Sequence, residues 1–318
     1  MAHFLYTSYS EAHMAGTYQG ESGLTRLEAL IRDLADFLPQ IGELPPQQFD
    51  AELLTRVREI DTLSRSYPER RELLKKMCFD LCAYALDQSA LLWRIRHKPS
   101  GYGGDVETLE MIYTGETHSQ GVGRAWDAFI FRQSFLDIVR QRQKLLRDAL
   151  REKCARQENV SVLSIAAHVR DFLQVAKFAP ECAGRTLFYC LELETKAMSY
   201  YKKLLDHEKL NVQWDNRDLA TLSLERSFDL IWLPRSLLYL NDEAVILLIR
   251  KLWNLLASKG TLLVVAVQPS DAQTLLEWCT GWALYGRTVE TMKSLFLQAG
   301  IDEAAIRFDG SGWWLERP

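Results

Sequence analysis

The sequence predicts an α/β fold: a mostly parallel sheet flanked by helices, with a helical domain in front of it. Three observations carry this. Leu24, Leu27, Leu30, Ile31, Leu34 and Leu38 recur at helical spacing near the start of the chain. From about Asn159 onward, short β-rich runs alternate with helical segments. Those runs are almost continuously apolar, as strands covered on both faces are. The expected division is a helical domain over residues 1–155 and an α/β domain over 156–318.

The elements follow in order. The first stripe is stopped by Pro39, Pro45 and Pro46. Helices are expected from about Phe49 to Ser64 and from Pro68 to Leu86. The glycine-rich loop Lys98 to Asp105 comes next, then a helix from Val106 to Tyr113 and one long helix from Gly123 to Lys153. In the second part, strands are expected at Val160 to Ala167, Thr186 to Leu193, Val212 to Trp214, Phe228 to Leu233 and Gly260 to Gln268. Helices are expected at Arg170 to Phe178, Glu194 to Leu210, Asp242 to Ala257 and Thr288 to Gln298. Ile306 to Phe308 and Trp313 to Glu316 read as two last strands.

A chain of 318 residues has room for two domains, and 47% hydrophobic with 25% charged residues is an ordinary globular composition. A net charge of −4 gives no overall attraction to nucleic acid or to an anionic membrane. The first residues, MAHFLYTSYSEAHM, have no basic segment followed by an apolar core, so no export signal is expected, and no run approaches a bilayer span. The six cysteines form no CxxC pair and no zinc spacing with histidine. Cys78 and Cys82 share a helix face and read as small core residues, and a reducing cytoplasm fits.

In a parallel sheet of this kind, ligands bind outside the carboxyl ends of the strands, where the strand order reverses. Glu192 and Glu194 close the second strand, where a carboxylate can accept hydrogen bonds from both ribose hydroxyls of a nucleotide. Alternation puts both on one side, and Glu192 is favoured; the plainer reading is two acids at a helix start. Asp218 and Leu219 follow the third strand, where a carboxylate and the next N–H can meet an adenine, or an aspartate can cap a helix. The first strand-to-helix turn, Ser164-Ile-Ala-Ala-His-Val-Arg-Asp171, has no glycine. Ala166 and His168 add bulk where backbone normally approaches a ligand. The loop GYGGD suits a tight turn with exposed N–H groups, with Tyr102 and Asp105 able to reach a crevice, or a plain interdomain turn. The late aromatics Trp278, Trp282, Tyr285, Trp313 and Trp314 read as core before they read as a substrate pocket. No GxSxG, HExxH or P-loop is present.

The segment from Arg96 to Tyr113, RHKPSGYGGDVETLEMIY, resembles a KPRGYAGDxExxxMIY signature of bacterial two-domain class I methyltransferases that use S-adenosylmethionine. That group includes 3-hydroxy fatty acid methyl ester synthases and azetidine-2-carboxylate synthases. Phe135 to Arg142 resembles its AVRNR stretch, Phe228 to Gln268 its fourth and fifth strands, and Trp282 to Met292 its YRT helix start. The resemblance covers about residues 90–318. It implies a Rossmann-like sheet of the class I methyltransferase type. It also implies a cofactor site drawn from Tyr102, Asp105, Ser164, Ala166, His168, Glu192, Asp218, Leu219 and Pro234. Tyr102, Gln141 and His168 are its polar candidates for catalysis. Gln141 stands where the group has asparagine, and the Ala-Ala-His turn stands where it has glycine.

The expected function is methyl transfer from S-adenosylmethionine to a small molecule in secondary metabolism or signalling. Two alternatives stay open. One is cyclisation of the cofactor on itself with release of methylthioadenosine. The other is a catalytically silent scaffold. No metal is expected. A small-molecule substrate is the expected partner, with a homodimer open and neither nucleic acid nor membrane expected.

Overall fold

The computed structural model describes residues 19–218, 224, 226–310 and 312–318. The opening segment read for an export signal lies outside them. Seven helices come first: α1 (Gln19–Phe37), α2 (Pro46–Ser64), α3 (Arg71–Leu86), α4 (Ala90–His97), α5 (Val106–Thr114), α6 (Gly121–Phe131) and α7 (Ser134–Arg156). Then follow β1 (Val160–Ile165), α8 (Val169–Phe178), α9 (Pro180–Ala183), β2 (Thr186–Leu191), α10 (Thr195–Leu205), β3 (Asn211–Asp215) and β4 (Phe228–Leu233). The chain closes with α11 (Asp242–Asn254), β5 (Leu256–Val264), α12 (Asp271–Thr280), α13 (Val289–Gln298), β6 (Ile306–Phe308) and β7 (Trp313–Glu316).

The seven strands form one sheet in the order β3-β2-β1-β4-β5-β7-β6. β1 to β5 run parallel, and β7 is antiparallel to both its neighbours. Successive side chains of a strand point to opposite faces, and both faces are apolar. Val162, Phe188, Leu230 and Leu263 pack on one side with Leu146 of α7 and Phe172 of α8. Leu163, Ile231, Leu262 and Val264 pack on the other with Ile249 of α11 and Phe296 of α13.

A third core holds the helical layer together. Phe37, Phe49, Trp126 and Phe129 stack there, with Phe37 and Phe49 face to face at 5.0 Å between centroids and the others edge to face. Helix α12, from the far end of the chain, joins this layer: Leu275, Leu276 and Trp278 are buried in it. Polar ties fix α12 in place. Trp278 Nε1 donates to Asp61 Oδ1 at 3.2 Å, Lys75 Nζ pairs with Glu277 at 2.7 Å, and Arg58 pairs with Asp271.

The differences from expectation are local. The single long helix is two, broken at Arg132 and Gln133. No glycine or proline marks the break. It is made by tertiary contacts: Arg132 is drawn to Asp50, and Arg140 Nη2 satisfies the Phe131 carbonyl at 2.8 Å. Helix α4 starts on Ser89, whose Oγ accepts from the Leu92 N–H at 2.9 Å. α12 starts on a capping box between Ser270 and Gln273 and stops at Gly281 with φ 65°. The sequence reading assigned neither helix. The fifth strand begins at Leu256 instead of Gly260 because Leu256 already pairs with Phe228. The second strand ends at Leu191, which leaves Glu192 and Glu194 in the loop.

Candidate functional site

The strand order reverses between β1 and β4, and in parallel sheets the ligand crevice lies at this point, outside the carboxyl ends of the strands. Ser164 marks the spot, paired with Cys190 of β2 on one side and Trp232 of β4 on the other. The loops after β1, β2 and β4 meet the loop 98–105 at this point.

The turn after β1 keeps a glycine-type backbone without a glycine. Ala166 has φ 50°, in the left-handed region, and its N–H donates to the Leu191 carbonyl at 2.9 Å. A Cβ in that conformation costs about 1 kcal/mol. His168 then starts α8. Its Nδ1 accepts from the Arg170 N–H at 3.3 Å, and its own N–H donates to Asp171 Oδ2 at 3.3 Å, closing a capping box. The ring is fully buried, stacked 4.8 Å from Tyr113 and edge-on to Tyr201. Burial, with the nearby Arg142, Arg235 and Arg170 cations, pushes its pKa well below the usual imidazole value. His168 is therefore neutral near pH 7, with the proton on Nε2 because Nδ1 serves as the cap acceptor.

At the end of β2, Glu192 is buried, and its Oε1 accepts from the Glu194 N–H at 3.0 Å. Tyr102 Oη donates to Glu194 Oε2 at 2.6 Å, bringing the loop 98–105 onto the second strand. Burial and this carboxylate push the Tyr102 phenol above its ordinary value, so it stays protonated, even with the Arg235 cation opposing them. The remaining oxygens, Glu192 Oε2 and Glu194 Oε1, are buried without a hydrogen-bond donor. Ser164 Oγ, Tyr113 Oη, Tyr201 Oη and His168 Nε2 are likewise buried and unpartnered. Such atoms are rare in folded proteins and cost about 1–3 kcal/mol each when left unpaired. Here they gather around one crevice.

Arg235, the first residue after Pro234 beyond β4, stands in the middle of it. Its Nε donates to the Ala166 carbonyl at 2.5 Å and its Nη1 to the Gly104 carbonyl at 2.9 Å. Its Nη2 lies 3.6 Å from Glu192 Oε2. One buried guanidinium thus ties together the turn after β1, the loop 98–105 and the acid of β2. Behind it lies a second buried cation. Arg142 Nη1 donates to the Pro234 carbonyl at 3.2 Å, and its Nε lies 3.7 Å from Asp171 Oδ1. Asp171 also accepts from Trp232 Nε1 at 3.2 Å.

The structure brings together Tyr102, Ser164, Ala166, His168, Glu192 and Pro234. Asp105 is buried close by, but both its oxygens are engaged: Oδ1 caps α5 through the Thr108 N–H at 2.9 Å and Oδ2 pairs with Arg94 at 2.5 Å. It shapes the loop and offers no free acceptor there. Gln141 is exposed on α7, and the next residue, Arg142, is the one that turns inward, so the structure does not bring Gln141 to the other site residues. Asp218 is half-buried beyond β3, and Leu219 lies outside the described residues.

Arg142, Asp171 and Arg235 escaped the sequence reading, although each leaves a trace. Arg142 interrupts an apolar face formed by Phe135, Val139 and Leu146, and a charge on such a face asks for a buried partner. Asp171 sits three residues after the cap. Arg235 is a charge directly following an apolar strand at the reversal point. Two of the three loop glycines have a packing reason: a Cβ on Gly103 would sit 2.9 Å from the Trp282 ring, and one on Gly104 would sit 2.3 Å from Tyr239 Oη, while Gly101 holds a φ of 90°.

Neither a family model nor a curated protein matches the chain. Among solved structures it is similar to a possible exported protein from Bordetella parapertussis, with a TM-score of 0.55 at 14% identity over 96% of this chain and 100% of that one. The fold is a mostly parallel, Rossmann-like seven-stranded sheet in the order β3-β2-β1-β4-β5-β7-β6. The chain is also similar to the magnesium protoporphyrin IX methyltransferase of Synechocystis PCC 6803 with bound S-adenosylhomocysteine, with a TM-score of 0.45 at 13% identity over 72% and 100%. A third match is the N-methyltransferase NodS of Bradyrhizobium japonicum in complex with S-adenosylhomocysteine, with a TM-score of 0.40 at 15% identity over 67% and 98%.

Proposed function

We propose that the chain binds S-adenosylmethionine at the carboxyl ends of β1, β2 and β4 and presents it to a small-molecule acceptor. The observation that carries this reading is the set of buried, unpartnered polar atoms gathered in the crevice. A ribose diol brings two hydroxyl donors, and Glu192 Oε2 and Glu194 Oε1 are two acceptors that make no hydrogen bond, the first facing the Arg235 cation at 3.6 Å. Asp218 stands beyond β3, where an adenine would lie. Between these acids and the turn after β1, Arg235 must swing aside, because its cation would repel a sulfonium.

When bound, the sulfonium supplies an electrophilic methyl carbon. The protein's share is to align the acceptor and keep water out. With Glu192 and Glu194 given to the ribose, neither His168 nor Tyr102 suits a general base acting on an acceptor. His168 has committed its Nδ1 lone pair to the helix cap, and Tyr102 is a protonated phenol. An acceptor that needs no deprotonation, such as a carboxylate, fits this best. The six cysteines are free thiols, which supports a reducing compartment. Among the described residues, no helix is long and apolar enough to cross a membrane.

One observation favours a second reading. Arg235 already supplies three contacts inside the crevice, as a bound ligand would, which suits a silent methyltransferase-like scaffold. Calorimetric titration with S-adenosylmethionine, followed by mass analysis of the mixture, separates the readings. Binding is expected. Its absence, in the wild-type chain and in Arg235→Gly alike, would leave the scaffold. Methylthioadenosine formed without an acceptor would replace methyl transfer by cyclisation.

A further inference from the structure

Cys78 and Cys82 lie one turn apart on α3, and the structure adds a third cysteine, 201 residues away from Cys78 in sequence. Cys279 of α12 points into the same spot. The three sulfurs form a nearly equilateral triangle, with separations of 3.9 Å (Cys78–Cys82), 3.7 Å (Cys78–Cys279) and 3.8 Å (Cys82–Cys279). All three side chains are completely buried. Each sulfur has the other two as its hydrogen-bonding neighbours.

We propose that Cys78, Cys82 and Cys279 bind one thiophilic d10 metal ion that staples α12 to α3. An ion with metal–sulfur bonds of about 2.3 Å in tetrahedral geometry sets its thiolates about 3.8 Å apart. That is the observed spacing on every edge of the triangle, so no backbone movement is needed to load the site. Thiolate sulfur selects soft ions such as Zn2+ and Cu+ over harder ones. Binding replaces S–H bonds with S–metal bonds and releases the protons to solvent, with no change in oxidation state.

Charge supports the assignment. A thiolate cluster in an apolar core needs a cation beyond the metal itself. The Arg96 guanidinium is buried beside it, its Nε paired with Asp87 at 2.7 Å, while its two amino groups donate to the main-chain carbonyl of Cys279 and, at 3.0 Å, to that of Phe79 on α3. Arg96 therefore links the two helices that the ion would bridge. The site lies in the helical layer, on elements other than those that carry the crevice, and the proposal stands whether or not the crevice binds S-adenosylmethionine.

The test uses the full chain, purified anaerobically without chelator. Metal content is measured by plasma mass spectrometry. The protein is then stripped and titrated with Zn2+ and, separately, with Cu+, each against a coloured competing chelator. One ion per chain is expected, with release of protons and a raised melting temperature. Cys279→Ala, which leaves a small apolar residue in the core, is expected to lose the ion. Preference for Zn2+ would mean that a water or main-chain oxygen completes four-coordination. Preference for Cu+ would mean a three-coordinate site. The proposal is overturned if stripped wild-type protein binds neither ion more tightly than Cys279→Ala. It is equally overturned if two of the sulfurs are found joined as a disulfide. The wild-type titration decides the matter even if the variant folds poorly.

Discussion

Arg235 Nη2 lies 3.6 Å from Glu192 Oε2, and both side chains are buried. The pair couples the fate of the crevice to the stability of the fold. Burial pushes the Glu192 carboxyl above its ordinary value, and the Arg235 cation opposes that. Removing the arginine leaves an uncompensated buried acid, a change that costs about 3 kcal/mol. Arg235→Gly should therefore melt earlier than wild type. Because the variant also removes a cation from the crevice, it should bind S-adenosylmethionine about tenfold more tightly, equivalent to about 1.4 kcal/mol. Glu192→Ala should abolish binding in either background. Thermal melts with and without ligand read both effects. Equal affinities for Arg235→Gly and wild type would show that the arginine does not compete with the ligand.

Ala166 sits at φ 50°. Glycine at this position would relieve the strain but add freedom to the unfolded chain, and the two effects are of similar size. Ala166→Gly is expected to leave stability within about 1 kcal/mol of wild type. Ala166→Val, with a branched Cβ in the left-handed region, should cost about 2 kcal/mol. Urea denaturation of the two variants measures the contrast. A valine variant as stable as the glycine variant would contradict the assigned turn.

Two of the three glycines of the loop 98–105, Gly103 and Gly104, are expected to resist even a methyl group. Gly103→Ala meets the Trp282 ring and should cost about 1–3 kcal/mol through overpacking. Pairing it with Trp282→Leu should recover part of that loss, since the clash is with the indole itself. Additive losses in the double variant would place the cause elsewhere.

His168 makes stability depend on pH. Its folded pKa is depressed, chiefly by burial, so between the folded value and the ordinary value of about 6.5 the unfolded chain binds the extra proton. Stability from this group is complete above about pH 6.5 and falls as the pH drops below it. His168→Asn keeps an N-cap acceptor but has no such titration. Unfolding midpoints measured from neutral to mildly acidic pH should slope downward in wild type and flatten in the variant. Parallel profiles would exclude His168 as the source.

Much of the sheet was legible because it rests on local patterns. Phe228 to Leu233, Ile306 to Phe308 and Trp313 to Glu316 appear with the bounds the sequence suggested, each a short apolar or aromatic run between breakers. What the sequence concealed is mostly long-range. The break at Gln133 is made by Asp50 and Arg140, and neither residue is a helix breaker. Around the switch point, position along the strands pointed to Glu192, and the resemblance pointed to Ser164 and Ala166; the structure puts all three near the ends of β1 and β2. Arg235 and Arg142 were missed because a buried arginine is recognisable only by the carbonyls and carboxylates around it, and those come from four separate segments.

The seating of α12 among the first helices also governs the order in which the molecule can be built. Trp278 meets Asp61 across 217 residues of chain. A ribosome releases the helical layer long before its last member emerges. Until then Leu74, Cys78 and Cys82 lack the surface that covers them. Contacts this distant in sequence slow folding and leave apolar surface open to self-association during synthesis. A fragment ending near residue 155 is therefore expected to aggregate where the full chain folds, although it holds seven of the helices.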